Sequence, residues 1–409
     1  MQERVVITGL GTVNPSGNNL KEFWKNIQVG KNSIKNISLF DTNDFKVKIA
    51  GECSIELDDY FNSKELNKLD RFTAFSLIAA DEAIKDSNLK NNFDPNKAGV
   101  IIGSGIGGIK SLENQHIKLL DSPKKVSPYF IPSMISDISP GHISIKYGFK
   151  GPNYCVVSAC ASSNHAIGNA YKMIKYGEAD IIVAGGAEAG ITPLSIAGFM
   201  NMKALSTNCD IKKACRPFDL KRDGFAPAEG GGILVVESMK HAQERGAKIY
   251  AEIAGWGVSS DAYHLVQPHP DGIGAGKAMS RALDNAQIEP FEVNYINAHG
   301  TSTPINDRSE TAAIKMVFGK LAYDIPVSST KSMIGHSLGA SGSLEAIACV
   351  KSIEDGILHP TINQEDSDPE CDLDYIPNTA RESKIDIAIS NSFGFGGQNA
   401  CLVIKKFPG

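Results

Sequence analysis

The chain has 409 residues, of which 42% are hydrophobic and 21% are charged, and its formal net charge is −5. This length is enough for two ordinary domains or one large α/β unit, so burial of a core is not limiting. The most apolar segments are no longer than strands, whereas a transmembrane helix needs about 20 apolar residues. The acidic balance disfavours nonspecific binding to nucleic acid.

The eight cysteines form no CxxC pair and no regular framework. This pattern predicts free thiols in a reducing compartment, and it predicts no structural metal site. The N-terminus runs into a β-branched strand without an apolar signal segment, so we expect a cytoplasmic protein. Because a removed transit peptide leaves no trace, an organelle of bacterial origin stays open as an alternative.

Strands and amphipathic helices alternate along the chain in two similar series. The first runs from Arg4 through "RVVITGLGTVNPSG", "FTAFSLIAADEAIKDSNL" and "AGVIIGSG"; the second runs from Ile249 through "IYAEIAGWGVSSDA", "GKAMSRALDNAQI" and "VNYINAHG". Alternation of this kind favours predominantly parallel sheets covered by helices, and repetition favours two sheets back to back. We therefore predict an α/β fold with two similar halves, residues 1–248 and 249–409.

The segment "GSGIGG", Gly103 to Gly108, follows a strand and matches the GxGxxG pattern of dinucleotide-binding loops. On this motif alone the chain could be a dinucleotide-dependent oxidoreductase. However, no strand ending in a carboxylate follows the motif, and the motif does not lie at the first strand-to-helix turn. A tight turn that lines a pocket is the favoured interpretation.

The stretch "VVSACASSNHAIG" places Cys160 where an apolar strand gives way to a helix. Unpaired backbone N–H groups and the positive end of a helix stabilise a thiolate, so this position predicts a lowered pKa and a nucleophilic sulfur. The alternative is a small, buried and inert thiol, which is the commoner fate of a cysteine. The stretch alone leaves both interpretations open.

Other polar residues follow later strands. His299 lies in "NAHGTSTPINDRSE", and Lys331 and His336 lie in "SSTKSMIGHSLGASG". A cysteine protease needs one histidine and an Asn or Asp to orient it, whereas two histidines suit donation of two hydrogen bonds to an enolate oxygen. The segment "NSFGFGGQN" is either a simple turn or a mobile loop that supplies an oxyanion donor and closes a hydrophobic channel.

In their order along the chain, "RVVITGLGTVNPSG", "ACASSNHAIG", "RPFDLKRDGF", "NAHGTSTPINDRSE", "STKSMIGH" and "NSFGFGGQN" resemble the β-ketoacyl-acyl carrier protein synthases of the thiolase-like superfamily. The resemblance covers essentially the whole chain and is closest to the type II elongating synthases of bacterial-type fatty acid synthesis. It implies a thiolase-like fold, with two βαβαβ halves and back-to-back mixed sheets in an αβαβα layered sandwich. The first half carries the nucleophile, and the second carries both histidines.

The resemblance also implies an activity. A decarboxylative Claisen condensation joins malonyl-acyl carrier protein to a cysteine-bound acyl chain and elongates a fatty acid by two carbons, which is acyltransferase chemistry. The implied partner is acyl carrier protein, whose phosphopantetheine carries the substrate, and the implied assembly is a homodimer. No cofactor is bound by the protein itself, and no nucleic acid or membrane is involved.

By the same resemblance, Cys160 is the acyl-accepting nucleophile and His299 and His336 complete the catalytic site. The backbone N–H groups of Cys160 and Phe395 form the oxyanion hole, and the Phe395 ring gates the acyl channel. Lys331 lies beside the histidines, where its positive charge helps to keep both rings neutral.

The resemblance gives roles to further residues. A buried charge network around the lysine contains Asp307, Glu310 and Glu345. The phosphopantetheine arm is bound by Thr301 and Thr303, and the acyl pocket is lined by Ile106, Phe199 and, from the neighbouring subunit, Phe130. The carrier docks on Lys64, Lys68 and Lys203, although Asn67 stands where the family commonly has arginine, and a solvated helix face is the alternative.

Three related activities differ from this pattern. A biosynthetic thiolase is expected to use a second cysteine, and an initiating synthase has asparagine where His336 stands. A noncatalytic partner that resembles a chain-length factor lacks the nucleophile, whereas Cys160 is present here. A type I elongating synthase or a polyketide ketosynthase has the same chemistry, and the sequence does not separate these from the type II enzyme.

Overall fold

A mixed sheet forms the frame of the molecule. The computed structural model describes residues 3–89 and 93–408. Over this part of the chain the strands are β1 (Val5–Val13), β2 (Lys35–Asn36), β3 (Ile49–Ala50), β4 (Ala98–Gly103), β5 (Asn153–Val156), β6 (Ile181–Glu188), β7 (Gly230–Ser238), β8 (Ala251–Ser260), β9 (Tyr295–Asn297), β10 (Val327–Ser328), β11 (Ile357–Leu358), β12 (Arg381–Glu382), β13 (Ile387–Gly394) and β14 (Gln398–Lys406).

The helices alternate with these strands, as the sequence predicts. Within the described residues they are α1 (Leu20–Gln28), α2 (Ser63–Leu66), α3 (Arg71–Asp86), α4 (Ile109–Asp121), α5 (Phe130–Met134), α6 (Ile138–Tyr147), α7 (Ser162–Lys175), α8 (Pro193–Asn201), α9 (Ile211–Ala214), α10 (Met239–Glu244), α11 (Ile273–Ala286), α12 (Pro304–Phe318), α13 (Lys331–Ile334) and α14 (Ser341–Asp355). Across the same residues, none of these helices is both long and apolar enough to cross a membrane.

The strand order repeats. One half of the main sheet has the order β5-β4-β6-β7-β1 and the other has β10-β9-β13-β14-β8, which is the same order when the strands of each half are numbered along the chain. The two halves are joined where β1 pairs antiparallel with β8 over three residue pairs, from Val5↔Ile253 to Ile7↔Ala251. The predicted back-to-back sheets are therefore continuous at one edge.

The sheet is less parallel than strand–helix alternation suggests. The pairs β4–β5, β4–β6, β9–β13 and β9–β10 are parallel, whereas β1, β7, β8 and β14 pair antiparallel with their neighbours. Between β13 and β14 the reason is local, because residues 395–397 form a short hairpin connection and such connections join antiparallel strands. The mixed sheet implied by the family resemblance is confirmed.

Helices α7 and α14 form the middle layer of the molecule. They pack against each other, and each contacts strands of both halves of the sheet. On the outer faces, α3 and α6 cover the first half, and α11, against which α12 packs, covers the second. The predicted αβαβα sandwich is therefore present. Each of its two middle helices begins directly after a short turn that borders the cavity described below.

Close packing of the middle layer depends on small residues. A Cβ atom built on Gly168, in the centre of α7, would lie 2.0 Å from the Trp256 ring of β8. Gly141 in α6 also lies inside a helix, but a Cβ atom there would have no neighbour within 4 Å. The two glycines are therefore in opposite steric surroundings.

We expect Gly168→Ala to lower the free energy of unfolding by about 1–3 kcal/mol, because the Trp256 ring must move to admit the methyl group. The matched variant Gly141→Ala is expected to be neutral or stabilising by up to about 1 kcal/mol, since alanine is the better helix former. Urea unfolding followed by circular dichroism measures both. Equal effects of the two substitutions would contradict the packing described here.

Candidate active site

Cys160 lies on a tight turn between β5 and α7. The turn Ala159–Ala161 is a single 3-10 turn, and Ala159 has a φ of 49°, the left-handed region that a non-glycine residue rarely occupies. The Ser162 hydroxyl accepts a hydrogen bond from the Ser158 N–H and donates one to the Ala159 carbonyl, at 2.9 and 2.7 Å. The thiol is 6% exposed and faces a cavity.

The predicted lowering of the thiol pKa is wrong. Burial raises the pKa of Cys160 to about 12, and the nearby Glu188 carboxylate raises it further. The positive charge of Lys331 and the backbone N–H groups of Phe395 and Cys160 act in the opposite direction. Desolvation of the thiolate outweighs these favourable groups, so the resting Cys160 side chain is a neutral thiol.

His299 and His336 face the same cavity as Cys160. Their ring centroids are 5.4 Å apart, and the ring planes cross at 85°. Burial holds both pKa values well below the ordinary histidine value, and the charge of Lys331 lowers both further. At neutral pH the two rings are therefore uncharged, and each carries one N–H group.

Lys331 is held at the back of the site. Its side chain is 1% exposed, and its ammonium group forms an ion pair with the Glu345 carboxylate. It also donates to the His299 carbonyl at 2.6 Å and lies 3.3 Å from Nδ1 of the same residue. A donor at Nδ1 places the imidazole proton on Nε2, so that Nε2 is the atom that can donate into the cavity. The His336 Nδ1 is paired with the Ser341 hydroxyl at 2.9 Å.

Glu310 binds backbone groups, and no cation pairs with it among the described side chains. Its carboxylate accepts from the N–H groups of His299 and Gly300, both at 2.8 Å, and from the Asn391 side chain at 3.1 Å. Burial raises the pKa values of Glu310 and Glu345 to about 7. The turn that carries His299 is therefore fixed by a carboxylate from the helix that follows it, α12.

The expected charge network around Lys331 is smaller than the resemblance implies. Asp307 forms its ion pair with Arg222, at 3.4 Å, and Arg222 is also paired with Asp368 at 2.6 Å. Asp307 accepts from the Thr301 N–H at 3.0 Å as well. Asp307 therefore fixes the segment of Thr301 and Thr303, whereas Glu345 is the residue that neutralises Lys331.

The cavity has a volume of about 330 Å³. Together with Cys160, His299 and His336, its wall contains Phe199, Lys203, Thr301, Thr303, Phe393 and Phe395. The two threonine hydroxyls are hydrogen-bonded to each other at 2.9 Å, and the Phe199 and Phe395 rings are 6.4 Å apart. The structure thus brings together residues that are up to 235 positions apart in the chain (160 to 395).

Other predicted residues lie elsewhere. Ile106 lines an adjoining cavity with Val157 and packs on the apolar cluster that contains Cys160. Phe130 is half-buried at the start of α5 and lines neither of these cavities. The side chains of Lys64 and Lys68 are exposed outside the cavity, and the Lys68 ammonium lies 5.2 Å from the centre of the Tyr129 ring.

Several residues of the site were missed in the sequence. Arg222 lies inside "RPFDLKRDGF" and Ser341 inside "SSTKSMIGHSLGASG", but neither motif indicates the ion pair of Arg222 or the hydrogen bond of Ser341. Asp261 lines the cavity from the position directly after β8. Glu188 is the single acidic residue at the end of an apolar strand, which gives no sequence signal for a site, and its carboxylate accepts hydrogen bonds from the N–H groups of Gly105, Ile106 and Gly107. The N–H groups of "GSGIGG" that would bind a pyrophosphate are thus already bonded within the protein.

Across residues 3–89 and 93–408, no group of three or more histidine, cysteine, aspartate or glutamate side chains is placed to hold a metal ion. The polar groups that line the cavity include two neutral imidazoles, a thiol and two threonine hydroxyls, together with amide side chains and charged side chains such as those of Lys203 and Asp261. Such a set can form a covalent thioester and donate hydrogen bonds to a developing oxyanion.

The sequence profile described as "Beta-ketoacyl synthase, N-terminal domain" matches residues 2–242, and the one described as "Beta-ketoacyl synthase, C-terminal domain" matches residues 250–365. The chain belongs to the β-ketoacyl synthase family. The predicted family, fold class and condensing function are confirmed, and the enzyme class is that of the acyltransferases.

Individual β-ketoacyl synthases are similar to this chain over nearly its whole length. The 3-oxoacyl-[acyl-carrier-protein] synthase 2 of Staphylococcus aureus strain N315 is 50% identical over 408 residues, 99% of each chain. The protein of the same name from Synechocystis sp. strain PCC 6803 is 48% identical over 410 residues, again 99% of each. A solved complex of a type II PKS acyl-carrier protein with its ketosynthase, bound to the hexaketide, has a TM-score of 0.94 and 37% identity over 100% of both chains.

Alkylation tests the protonation state of the Cys160 thiol. In a Cys209→Ser background, which removes an exposed thiol, we expect the rate of Cys160 carbamidomethylation by iodoacetamide to rise about tenfold per pH unit from pH 7 to pH 10. The reason is that the thiolate fraction grows in this way below a pKa of about 12. Peptide mass spectrometry measures the rate, with Cys160→Ala as the blank. A plateau above about pH 8.5 would show an ordinary thiol pKa instead.

Proposed function

We propose that this condensing enzyme uses Cys160 as the acyl-accepting nucleophile and His299 and His336 as donors to the enolate, with both substrates delivered on acyl carrier protein. The N-terminal half, residues 1–248, carries the nucleophile, and the C-terminal half, residues 249–409, carries the histidines. The observation that carries the proposal is the meeting of one buried thiol and two neutral imidazoles in one cavity.

The first step is transfer of the acyl group. The Cys160 sulfur attacks the acyl thioester carbonyl, the bond to the pantetheine sulfur breaks, and the thiol proton passes to the departing sulfur. A thiol whose pKa is about 12 must lose its proton as it attacks, and the neutral imidazoles that line the same cavity are the bases that take it up. The backbone N–H groups of Cys160 and Phe395 both lower that pKa, which supports their role as an oxyanion hole.

The second step is condensation. The malonyl group loses carbon dioxide, and the two electrons of the broken carbon–carbon bond form an enolate. Its oxygen accepts hydrogen bonds from the imidazoles of His299 and His336, and Lys331 keeps His299 in the tautomer that donates from Nε2. The enolate carbon then attacks the Cys160 thioester, and the released thiolate takes up one proton. The product stays on the carrier.

The walls of the cavity support the remaining assignments. The hydroxyls of Thr301 and Thr303 lie on the cavity side, where they bind the phosphopantetheine arm. Phe199 and Ile106 belong to the apolar cluster around Cys160 and form the acyl pocket. The Phe395 ring, which is half-buried beside Phe199, gates the channel, and exclusion of water protects the thioester from hydrolysis. No cofactor is needed for these steps.

We further infer a homodimer. Among the described residues β5 pairs with β4 on one side only, so it is an edge strand of the main sheet. Val157, directly after β5, and Ile145, on the helix α6 that packs against β5, are 61% and 82% accessible, and Leu120 and Ile131, on the contacting helices α4 and α5, are 76% and 55% accessible. Exposed strand edges beside apolar patches mark association with another chain. Phe130 begins the helix that carries Ile131, and so it would face the acyl pocket of the second copy.

Carrier docking and location complete the proposal. Lys203 lies at the cavity wall with its side chain exposed, and Lys64 and Lys68 are exposed on another segment. Cationic side chains at the entrance attract an acidic carrier protein, and this attraction raises the association rate more than the chemical rate. The cytoplasm is the compartment in which we expect the carrier and the enzyme to meet.

Loss of the nucleophile or of one donor separates the two steps. We expect Cys160→Ala to abolish acyl-enzyme formation, and His336→Gln to lower the condensation rate by about 10²–10³ while acylation falls much less. Intact-protein mass spectrometry measures acylation, and the yield of 3-oxoacyl carrier measures condensation.

The matched control is His165→Gln. His165 is near Cys160 in sequence, but its Nδ1 is bonded to the Ser158 hydroxyl at 2.8 Å and it does not line the cavity. We expect this variant to keep both activities. Covalent acylation of the Cys160→Ala protein would refute the assigned nucleophile.

Docking is tested by charge reversal. Lys203→Glu is expected to raise KM for acyl-carrier substrates about tenfold with little change in kcat, because an acidic carrier loses an attractive partner at the entrance. Lys21→Glu on α1 is a control with the same change in net charge at an exposed position that does not line the cavity. We expect wild type and both variants to use acyl-pantetheine, a substrate without the carrier protein, equally well. An equal rise of KM for both substrates would reject the docking role.

A further inference from the structure

Two turns of the molecule have the same local structure. The turn Ala159–Ala161 precedes α7 and the turn Leu338–Ala340 precedes α14. Their first residues have φ values of 49° and 46°, and each third residue donates its N–H to a serine carbonyl, at 3.0 and 2.9 Å. The position that Cys160 occupies in the first turn is occupied by Gly339 in the second. The duplicated fold therefore contains a second turn of the nucleophile type.

The two turns differ in what lies against the central N–H group. Beside Cys160 lies Gly394, the last residue of β13, and a Cβ atom there would be 3.3 Å from the Cys160 nitrogen. Beside Gly339 lies Glu188, the last residue of β6, and its Oε2 accepts the Gly339 N–H at 3.1 Å. Strands β6 and β13 hold the same place in their halves of the sheet. The Glu188 carboxylate beside Gly339 therefore occupies the position that, beside Cys160, is open to the oxyanion of a substrate.

Glu188 also binds the loop that contains the "GSGIGG" motif. Its carboxylate accepts the N–H groups of Gly105, Ile106 and Gly107, at 2.6, 3.2 and 3.2 Å, and the Ser104 hydroxyl at 3.0 Å. The side chain is fully buried, and no lysine, arginine or histidine of the described chain forms an ion pair with it. Its charge is balanced by five hydrogen-bond donors, four of them backbone N–H groups, as at anion-binding nests.

The two bound segments touch each other at this carboxylate. A Cβ atom on Gly339 would lie 2.3 Å from the Gly105 nitrogen and 2.7 Å from Glu188 Oε2, and one on Gly105 would lie 2.9 Å from the same oxygen. A larger side chain at Gly339 would therefore displace the backbone at Gly105, and one at Gly105 would displace the Glu188 carboxylate. The loop after β4 and the turn before α14 are fixed to each other through Glu188.

Both segments carry side chains of the acyl end of the site. Ile106 and Leu338 belong to the apolar cluster that contains Cys160, and Leu338 lines the same cavity as the thiol. We propose that Glu188 is a positioning residue: by holding the Ser104–Gly107 loop against the Leu338–Ala340 turn, it sets the distance between Ile106 and Leu338 and so determines which acyl chains reach Cys160. This inference rests on the proposed function of Cys160.

The effect of a Glu188 substitution on acylation of Cys160 should depend on the length of the acyl chain. A short acyl group ends close to the sulfur and does not reach between Ile106 and Leu338, whereas a long one must pass between them. In Glu188→Gln the carbonyl oxygen of the amide side chain can still accept hydrogen bonds. The NH₂ group of the same side chain is a donor, so it cannot accept from the backbone N–H groups that it faces. The loop and the turn must then separate, and long chains lose more than short ones.

The experiment measures acylation of Cys160 with butanoyl, decanoyl and hexadecanoyl carrier protein. For Glu188→Gln we expect the ratio of kcat/KM for hexadecanoyl over butanoyl donors to fall about tenfold, the size of effect that loss of one or two hydrogen bonds to a charged group produces. Ser104→Ala, which removes one donor and leaves the carboxylate bound, is expected to give a smaller shift in the same direction.

A small anion provides a direct test of position. In Glu188→Ala, added formate is expected to occupy the vacated N–H cradle and to restore the chain-length ratio to within about threefold of wild type, with no effect on wild type or Glu188→Gln. Glu237→Gln is the matched control, because Glu237 is also a fully buried carboxylate but is held by Arg245, His241 and Thr8. It is expected to lose stability without a change in the ratio.

The outcomes are distinct. A fall in the ratio that is specific to Glu188 and is reversed by formate supports the inference. An unchanged ratio in Glu188→Gln, a proportional fall for all three donors, or the same shift in Glu237→Gln overturns it. If wild type forms no acyl-enzyme at all, the proposed function fails and this inference fails with it, whereas wild-type acylation with an unaltered profile in the variants rejects the inference alone.

Discussion

The structure of the site depends on one buried ammonium group. Lys331 is neutralised by Glu345, donates to the His299 carbonyl and lies against the His299 ring, so that it fixes the position and the tautomer of that ring together. Its charge also lowers the pKa values of both imidazoles and of the Cys160 thiol. A neutral donor pair beside a neutral thiol suits a reaction in which an enolate must form and hydrolysis must be avoided.

The duplicated fold is what makes this arrangement possible. Corresponding strands hold the same places in the two halves of the sheet, and each of the middle helices α7 and α14 begins directly after a 3-10 turn of similar geometry. One turn presents a thiol, and the other presents a glycine whose N–H is covered by Glu188. The two turns therefore have a similar backbone but differ in chemistry, because the first presents a thiol to the cavity and the second presents a glycine.

Much of this could be predicted from the sequence, because strand ends, small residues and an ordered set of motifs are local signals. Cys160, His299, Lys331 and His336 are all next to predicted strands. Three features could not be predicted. The raised pKa of Cys160 depends on burial by residues far away in the chain, the pairing of Asp307 with Arg222 is a tertiary contact, and Glu188 stands at the end of an apolar strand that shows no polar pattern.

The most direct test of this account is a titration of the two cavity histidines by NMR, with the imidazole carbons labelled and the signals assigned through His299→Asn and His336→Asn variants. We expect both rings to stay neutral between about pH 5 and pH 9, because burial and the Lys331 charge hold their pKa values well below the ordinary value. An inflection near pH 6.5 or above for either ring would contradict the neutral donor pair on which the proposed mechanism rests.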